Sequence, residues 1–261
     1  MKSIYHKDKK LIKFNKIYIP SSYIPYLQIY DEDSNYSFSL TGELFNNDEY
    51  FNTKEYFSQD HDAYKDGYTY ESRKKKYFED IQNVVRYIKE NSVKRYADLG
   101  SGPGYYAAAI KEQLPKIKVY AVDPCKHFVK EVNKFKVRRV RCFLQQIALK
   151  TDLLDIATSH HTLEHIEADE IGIALEDIKR IIKNKGLFYA IIPTIDSPRV
   201  VNNQEVQRQI IDDETHRTLA TRKWWEEQFE KVGGFKKNKE LEKHFDRKGY
   251  GWVFVYNIYK E

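Results

Sequence analysis

The sequence predicts an α/β fold: a mostly parallel sheet wound with helices, closed by an antiparallel pair of strands and preceded by an irregular N-terminal extension. Three observations predict it. After residue 93, apolar runs of strand length alternate with helical segments, the signature of βαβ units. Three of the 11 glycines crowd into a single turn between a strand-like and a helical segment. The content of 41% hydrophobic and 32% charged residues over 261 positions suits a globular chain with a sizeable core, and excludes both a membrane bundle and a disordered tail.

The elements follow in order. Residues 1 to about 70 show no sustained period. Their Tyr/Ile-rich runs are broken by Pro20, Pro25 and polar clusters, so irregular structure with two or three strands is expected. From Tyr77 to Glu90 the apolar Phe78, Ile81, Val84, Val85 and Ile88 recur at three- and four-residue intervals, which predicts a helix with one buried face. The domains are therefore read as 1–76, an extension, and 77–261, the main domain. RYADLG then predicts a strand, YYAAAIKEQL a helix, KVYAVD a strand, KHFVKEVNKF a helix, VRRVRCFL a strand and LLDIATS another. A long helix is expected from Ala168 to Ile182, closed by Lys183, Lys185 and Gly186, followed by the strand LFYAIIP. The last third offers a helix from Arg222 to Val232. FKKNKELEKHF and GWVFVYNIYK then read as two strands joined by a link too short for a crossover helix, hence antiparallel.

Charge and cysteine content narrow the partners. The 44 basic residues exceed the 39 acidic ones by only +5, so nucleic acid is not the expected partner. The densest basic run, Arg73 to Lys76, precedes the first helical stretch and reads as a solvated helix face. Cys125 and Cys142 cannot build a disulfide scaffold, and no CxxC holds zinc; a reducing compartment fits. No leader-like or membrane-spanning apolar stretch is present, so a cytoplasmic location without membrane insertion is expected.

The glycines carry the chemistry. Gly100, Gly102 and Gly104 lie in YADLGSGPGYYAAAI, between a strand and a helix. There the missing side chains let a ligand approach the backbone and the helix N-terminus presents free amides. Downstream, VYAVDP ends a strand on Asp123, whose carboxylate can accept both hydroxyls of a ribose. The loop alone does not choose a cofactor, because Gly102, Gly104 and Ala107 also satisfy the dinucleotide pattern G-x-G-x-x-A.

Asp98, two residues before the first glycine, breaks the tie. With Gly100, Gly102 and Gly104 it matches D-x-G-x-G-x-G, and the sequence resembles the class I S-adenosylmethionine-dependent methyltransferases, with Asp123 as their acid after strand two. LLDIATSHHTLEHI is similar to the family's fourth-strand segment and IIKNKGLFYAIIP to its fifth. DETHRTLATRKWWEEQFEKVGGF is similar to a segment of members that methylate small molecules, often sugars from surface-polysaccharide clusters of bacteria. The resemblance spans residues 93 to 261. It implies a Rossmann-like, seven-stranded, mostly parallel sheet with an antiparallel C-terminal hairpin, and S-adenosyl-L-methionine as cofactor. It also implies that Gly100, Ser101 and Gly102 meet the cofactor's amino-acid part, Asp123 its ribose and Pro124 its adenine, with Gln145 or Gln146 near the adenine amino group.

Methyl transfer to a hydroxyl wants a base, and histidine suits neutral pH. His160 and His161 follow strand four at the ligand-binding edge of the sheet. His160 is read as a cofactor neighbour; His161, His165 and His216 are the catalytic candidates. His161, Glu164 and His165 also spell H-x-x-E-H. That pattern describes a zinc-peptidase motif, which a segment following a βαβ cofactor domain does not fit. The resemblance, some of whose small-molecule members look as if they place metal ligands in this turn, implies a divalent ion assisting deprotonation as an alternative the sequence does not favour, and no metal ligands are assigned. Cys125 follows strand two, so it is not placed as a nucleophile. Of Trp224 and Trp225, one is expected in the core while the other could roof the acceptor. The reading is methyl transfer to a small-molecule polar acceptor, a hydroxyl of a sugar, nucleotide-sugar or surface glycan, with residues 1–76 covering the pocket. An RNA acceptor and a non-catalytic cofactor-binding subunit are the alternatives. The oligomeric state is not legible.

Overall fold

The computed structural model describes residues 69–124, 134–211, 213, 215–246 and 249–260, and the backbone alone of five strands between residues 2 and 40. Those strands are β1 (Lys2–His6), β2 (Lys9–Phe14), β3 (Ile17–Pro20), β4 (Leu27–Glu32) and β5 (Asn35–Leu40). They pair antiparallel as β1-β2-β3 and β4-β5, more strand than the two or three expected, because Pro20 ends a strand instead of interrupting one.

The main sheet contains β6 (Arg95–Leu99), β7 (Lys118–Val122), β8 (Arg138–Val140), β9 (Leu154–His160), β10 (Ile182–Ile191), β11 (Phe235–Lys237) and β12 (Val253–Ile258), in the order β11-β12-β10-β9-β6-β7-β8. Every pair from β10 to β8 is parallel, and β12 runs antiparallel to both β10 and β11. This is the expected Rossmann-like sheet. The helices are α1 (Tyr70–Asp80), α2 (Gln82–Glu90), α3 (Tyr105–Gln113), α4 (Ile171–Ile181), α5 (Pro198–Val201), α6 (Gln204–Ile211), α7 (Arg222–Val232) and α8 (Lys239–Phe245).

Strand periodicity explains why both faces are covered. In β6, β7, β10 and β12 successive buried side chains enter two different clusters. Leu99, Val122, Phe188 and Phe254 pack with α4 and α7 through Leu175, Ile178 and Phe229, while Tyr96, Ala121, Tyr189 and Val255 pack with α1, α2 and α3 through Tyr77, Val84 and Ala108. A sheet buried on both faces needs apolar residues at consecutive positions, and these strands supply them.

Four local expectations change. The helix placed from Tyr77 begins at Tyr70, where Thr69 accepts from the Ser72 amide in a capping box that the Tyr77-based spacing left out. The chain breaks at Ile81 and resumes as α2. The basic run therefore lies on α1, with Arg73, Lys75 and Lys76 exposed as a solvated face. The helix expected from Ala168 to Ile182 runs from Ile171 to Ile181, and Lys183 to Gly186 do not close it. Gly186 instead sits in a bulge of β10, where Ile182 pairs with Leu154 but the next pair is Leu187 with Ile156. The left-handed residue there is Lys185, and a Cβ on Gly186 would meet the Asp155 carbonyl at 2.9 Å. Finally, FKKNKELEKHF is a three-residue strand followed by α8, with Asn238 capping the Leu241 amide. KHFVKEVNKF falls mostly outside the described residues, as does Cys125.

Candidate active site

The turn from β6 to α3 is built by glycine. Gly100, Gly102 and Gly104 hold φ of 71°, 50° and 83°, left-handed values that cost a residue with a Cβ. At Gly100 a Cβ would also lie 2.0 to 2.6 Å from the Thr162 side chain. Gly100 and Ser101 both donate their amides to the Val122 carbonyl, and Gly102 donates to Asp123 Oδ2 at 2.8 Å. The loop is thereby tied to the end of β7, and Asp123 is held in place, 6% exposed. Gly104 is the N-cap of α3 and has no side chain to cap it. Ser101 Oγ is buried without a hydrogen-bond partner among the described residues, a polar group left for a ligand.

Asp98 lies behind this loop. Burial, and secondarily the charge of Asp123, push its carboxyl up to about 7, although the Ala107 amide it accepts works the other way. It is a support of the turn and does not line the cavity.

A cavity of about 730 Å3 opens at the carboxyl ends of the parallel strands, a volume typical of small-ligand clefts. Of the expected cofactor residues, Gly100, Ser101, Gly102, Asp123, Pro124, Gln145 and His160 line it. Asp98, Gly104 and Gln146 do not. Gln145 donates to Glu170 at 2.9 Å beside the cavity, whereas Gln146 is 4% exposed with both amide atoms unpartnered. His160 is held between Tyr106 and Tyr189, with ring centres 4.6 and 5.3 Å away. Burial, helped by His161, lowers it to about 3, so this imidazole is neutral at physiological pH.

The catalytic candidates divide differently. His161 is exposed, adopts a φ of 51° and stands against Trp252 with ring centres 5.8 Å apart. It lines the cavity, as does His165. His216 does not, but its ring lies 5.0 Å from that of His165. Glu164 is fully buried, and among the described residues Glu164, His165 and His216 form a group whose ligating atoms all lie within 4.8 Å of one another. Burial alone would raise the Glu164 carboxyl; His161 and His165 beside it bring it below the ordinary range. The turn of H-x-x-E-H is a single 3-10 turn, Leu163–His165, and the chain brings His216 beside its Glu164 and His165.

Several cavity residues had no sequence signal. Tyr106, Tyr189, Arg199, Tyr250 and Trp252 line it. The Arg199 guanidinium lies 4.0 Å from the Tyr250 ring centre and 5.2 Å from that of Trp252. The tryptophan at the cavity is Trp252 and not Trp224; Trp225 is core, and Trp224 packs against the same core.

Residues 97–190 match the family model described as a methyltransferase domain. No curated protein matches the chain. Among solved structures, it resembles a chain of the Haloferax volcanii complex containing the Trm112 methyltransferase activator, at 15% identity over 74% of this chain and 94% of that one, TM-score 0.55. The PH0226 protein of Pyrococcus horikoshii is similar at 15% identity over 84% and 99%, TM-score 0.53. An O-methyltransferase family protein of Burkholderia thailandensis is similar at 13% over 84% and 67%, TM-score 0.53. At such identities the likeness establishes the fold.

Proposed function

We propose that this chain, residues 97–190 of which match the methyltransferase-domain model, is an S-adenosylmethionine-dependent methyltransferase that methylates a hydroxyl of a small polar acceptor: a sugar, a nucleotide-sugar or a surface-glycan precursor. The observation that carries this reading is the shared cavity. The glycine loop, Asp123 and three histidines line one volume together with a cationic and aromatic group, Arg199, Tyr250 and Trp252. Aromatic faces suit the apolar faces of a sugar, and a guanidinium suits a phosphate or carboxylate.

When bound, the cofactor supplies an electrophilic methyl on a sulfonium, so the chain's task is alignment and proton removal. Gly100, Ser101 and Gly102 bring bare backbone and the Ser101 hydroxyl to the cofactor's amino-acid end. Asp123, which also accepts from the Gly102 amide, would accept from the ribose hydroxyls, while Pro124 and Gln145 flank the base. His160, kept neutral, forms part of the wall. His161 is the residue assigned to take the acceptor proton, since its ring is both solvent-accessible and in the cavity; His165 and His216 stand behind it. Lys76, at the end of the 1–76 stretch read as the cover that selects the acceptor, also lines the cavity, beside Tyr77 and Asp80 of the main domain.

The test is direct. The purified chain with S-adenosylmethionine is offered monosaccharides, nucleotide-sugars and RNA, and the demethylated cofactor is quantified. Turnover on a sugar or nucleotide-sugar, little changed by salt, is expected. Turnover confined to RNA and falling steeply with salt would replace this reading with the RNA one.

A further inference from the structure

We propose that Glu164, His165 and His216 form a binding site for one divalent cation. Their ligating atoms, at most 4.8 Å apart, share a centre no more than about 2.8 Å from each, so an approach of at most ~0.6–0.8 Å per ligand reaches the usual 2.0–2.2 Å metal bond. A second, independent observation is the state of Glu164. Its side chain is 0% exposed, and among the described residues neither carboxylate oxygen has a hydrogen bond of regular geometry, His161 being its one pairing contact. A buried carboxylate left in that condition is costly unless a positive charge joins it. The ring nitrogen of His161, 3.3 Å away, belongs to a side chain half in solvent.

The imidazoles are set up for the same purpose. His165 Nδ1 lies 3.0 Å from the Thr215 carbonyl, and His216 Nδ1 lies 2.7 Å from the Ile210 carbonyl. Carbonyls only accept, so in both neutral rings Nδ1 carries the proton and Nε2 the lone pair. Metal-binding histidines are oriented in this way, with the outer nitrogen donating to a backbone oxygen. Asp213 Oδ2, 3.7 Å from His216 Nε2, adds negative charge nearby. The frame is pinned as well: the Arg217 and Thr218 amides donate to the Glu164 carbonyl at 2.8 and 2.9 Å, and Thr218 Oγ1 donates to the Ile166 carbonyl at 2.7 Å.

Two imidazoles and a carboxylate suit Mn2+, Fe2+, Co2+ or Zn2+ and leave coordination positions open. His165 lines the cavity, so those positions face it. That an acceptor oxygen occupies one of them rests on the preceding reading; the ion site itself does not.

The full chain is therefore titrated with Mn2+ followed by electron paramagnetic resonance, and with Co2+ followed by visible absorption, in the absence of any acceptor. One ion per chain is expected. Glu164→Gln and His216→Asn should each weaken it at least tenfold, with S-adenosylmethionine affinity unchanged by calorimetry as the control for folding. Should a variant fail that control, the wild-type chain decides: substoichiometric Mn2+ must broaden the ring resonances of His165 and His216 before those of the exposed His244. Absence of a stoichiometric ion, variants that bind as the wild type does, or broadening that begins at His244 overturns the proposal. A chain that binds the ion but methylates no sugar would leave the site standing and remove only the acceptor assignment.

Discussion

At the scale of single residues, conformation and charge make separable demands. Gly100→Ala meets two obstacles at once, a left-handed φ that costs about 1–2 kcal/mol and a Cβ placed inside van der Waals distance of Thr162. Loss of calorimetric S-adenosylmethionine binding with a lowered melting temperature is expected; a variant that binds normally would show that the turn has slack. Asp98 and His160 impose opposite pH slopes. Between about pH 4 and 7 the unfolded chain has released a proton that folded Asp98 retains, so its contribution to stability declines as pH rises. Between about pH 3 and 6.5 the unfolded chain takes up a proton that folded His160 refuses, so its contribution declines as pH falls. Relative to the wild type, Asp98→Asn should gain stability progressively up to about pH 7 and hold it above. His160→Phe should gain only on the acid side. Urea midpoints at pH 4.5, 6 and 8 check both, and difference curves flat in pH would refute the assignment.

At the scale of elements, the same residues can end a helix or bend a strand, and local sequence does not tell the two apart. Lys185-Gly186 after a charged helical turn is the pattern of a C-cap, yet the chain uses it to insert extra residues into β10. The decision is made by Asp155, whose carboxylate accepts the Lys94 and Arg95 amides at 2.8 Å and pairs with Lys183, fixing the start of β9 against both neighbours. Gly186→Ala should therefore cost about 1–3 kcal/mol through crowding against Ile182 and the Asp155 carbonyl. A denaturation midpoint shift at constant slope measures it, and no shift would mean the bulge relaxes freely. Similarly, α8 was hidden because its charged run has only Leu241 and Phe245 to mark a buried face. By contrast α7 was legible residue for residue, since Thr221 caps it, Trp225 and Phe229 recur at helical spacing, and Gly233 ends it.

At the scale of the whole molecule, the site divides according to how its residues are brought together. The cofactor half is local in sequence: a loop, the acid at the next strand end and the residues after strand three, all carried by consecutive βα units, so their order along the chain is their order across the sheet. The acceptor half is assembled by the chain's return, from α1, the turn after β9, α5 and the segment before β12. Arg199, Tyr250 and Trp252 are ordinary residues in sequence and become neighbours only through that path. This division makes the cofactor half separately testable. A ligand that binds only the folded state stabilises it by RT ln(1 + [L]/Kd), about 2.7 kcal/mol at a hundredfold excess over Kd. For a chain of this length that raises the melting temperature by roughly 5–10 °C. Asp123→Ala should remove the rise, because it takes away both the ribose acceptor and the partner that holds the Gly102 amide. His161→Ala should keep the rise while lowering turnover by about a hundredfold, as expected for loss of a general base. Thermal scans with and without S-adenosylmethionine read the first effect and steady-state rates the second. If His161→Ala also abolished the thermal shift, the two halves would be one coupled unit, and the assignment of His161 to the acceptor would fall.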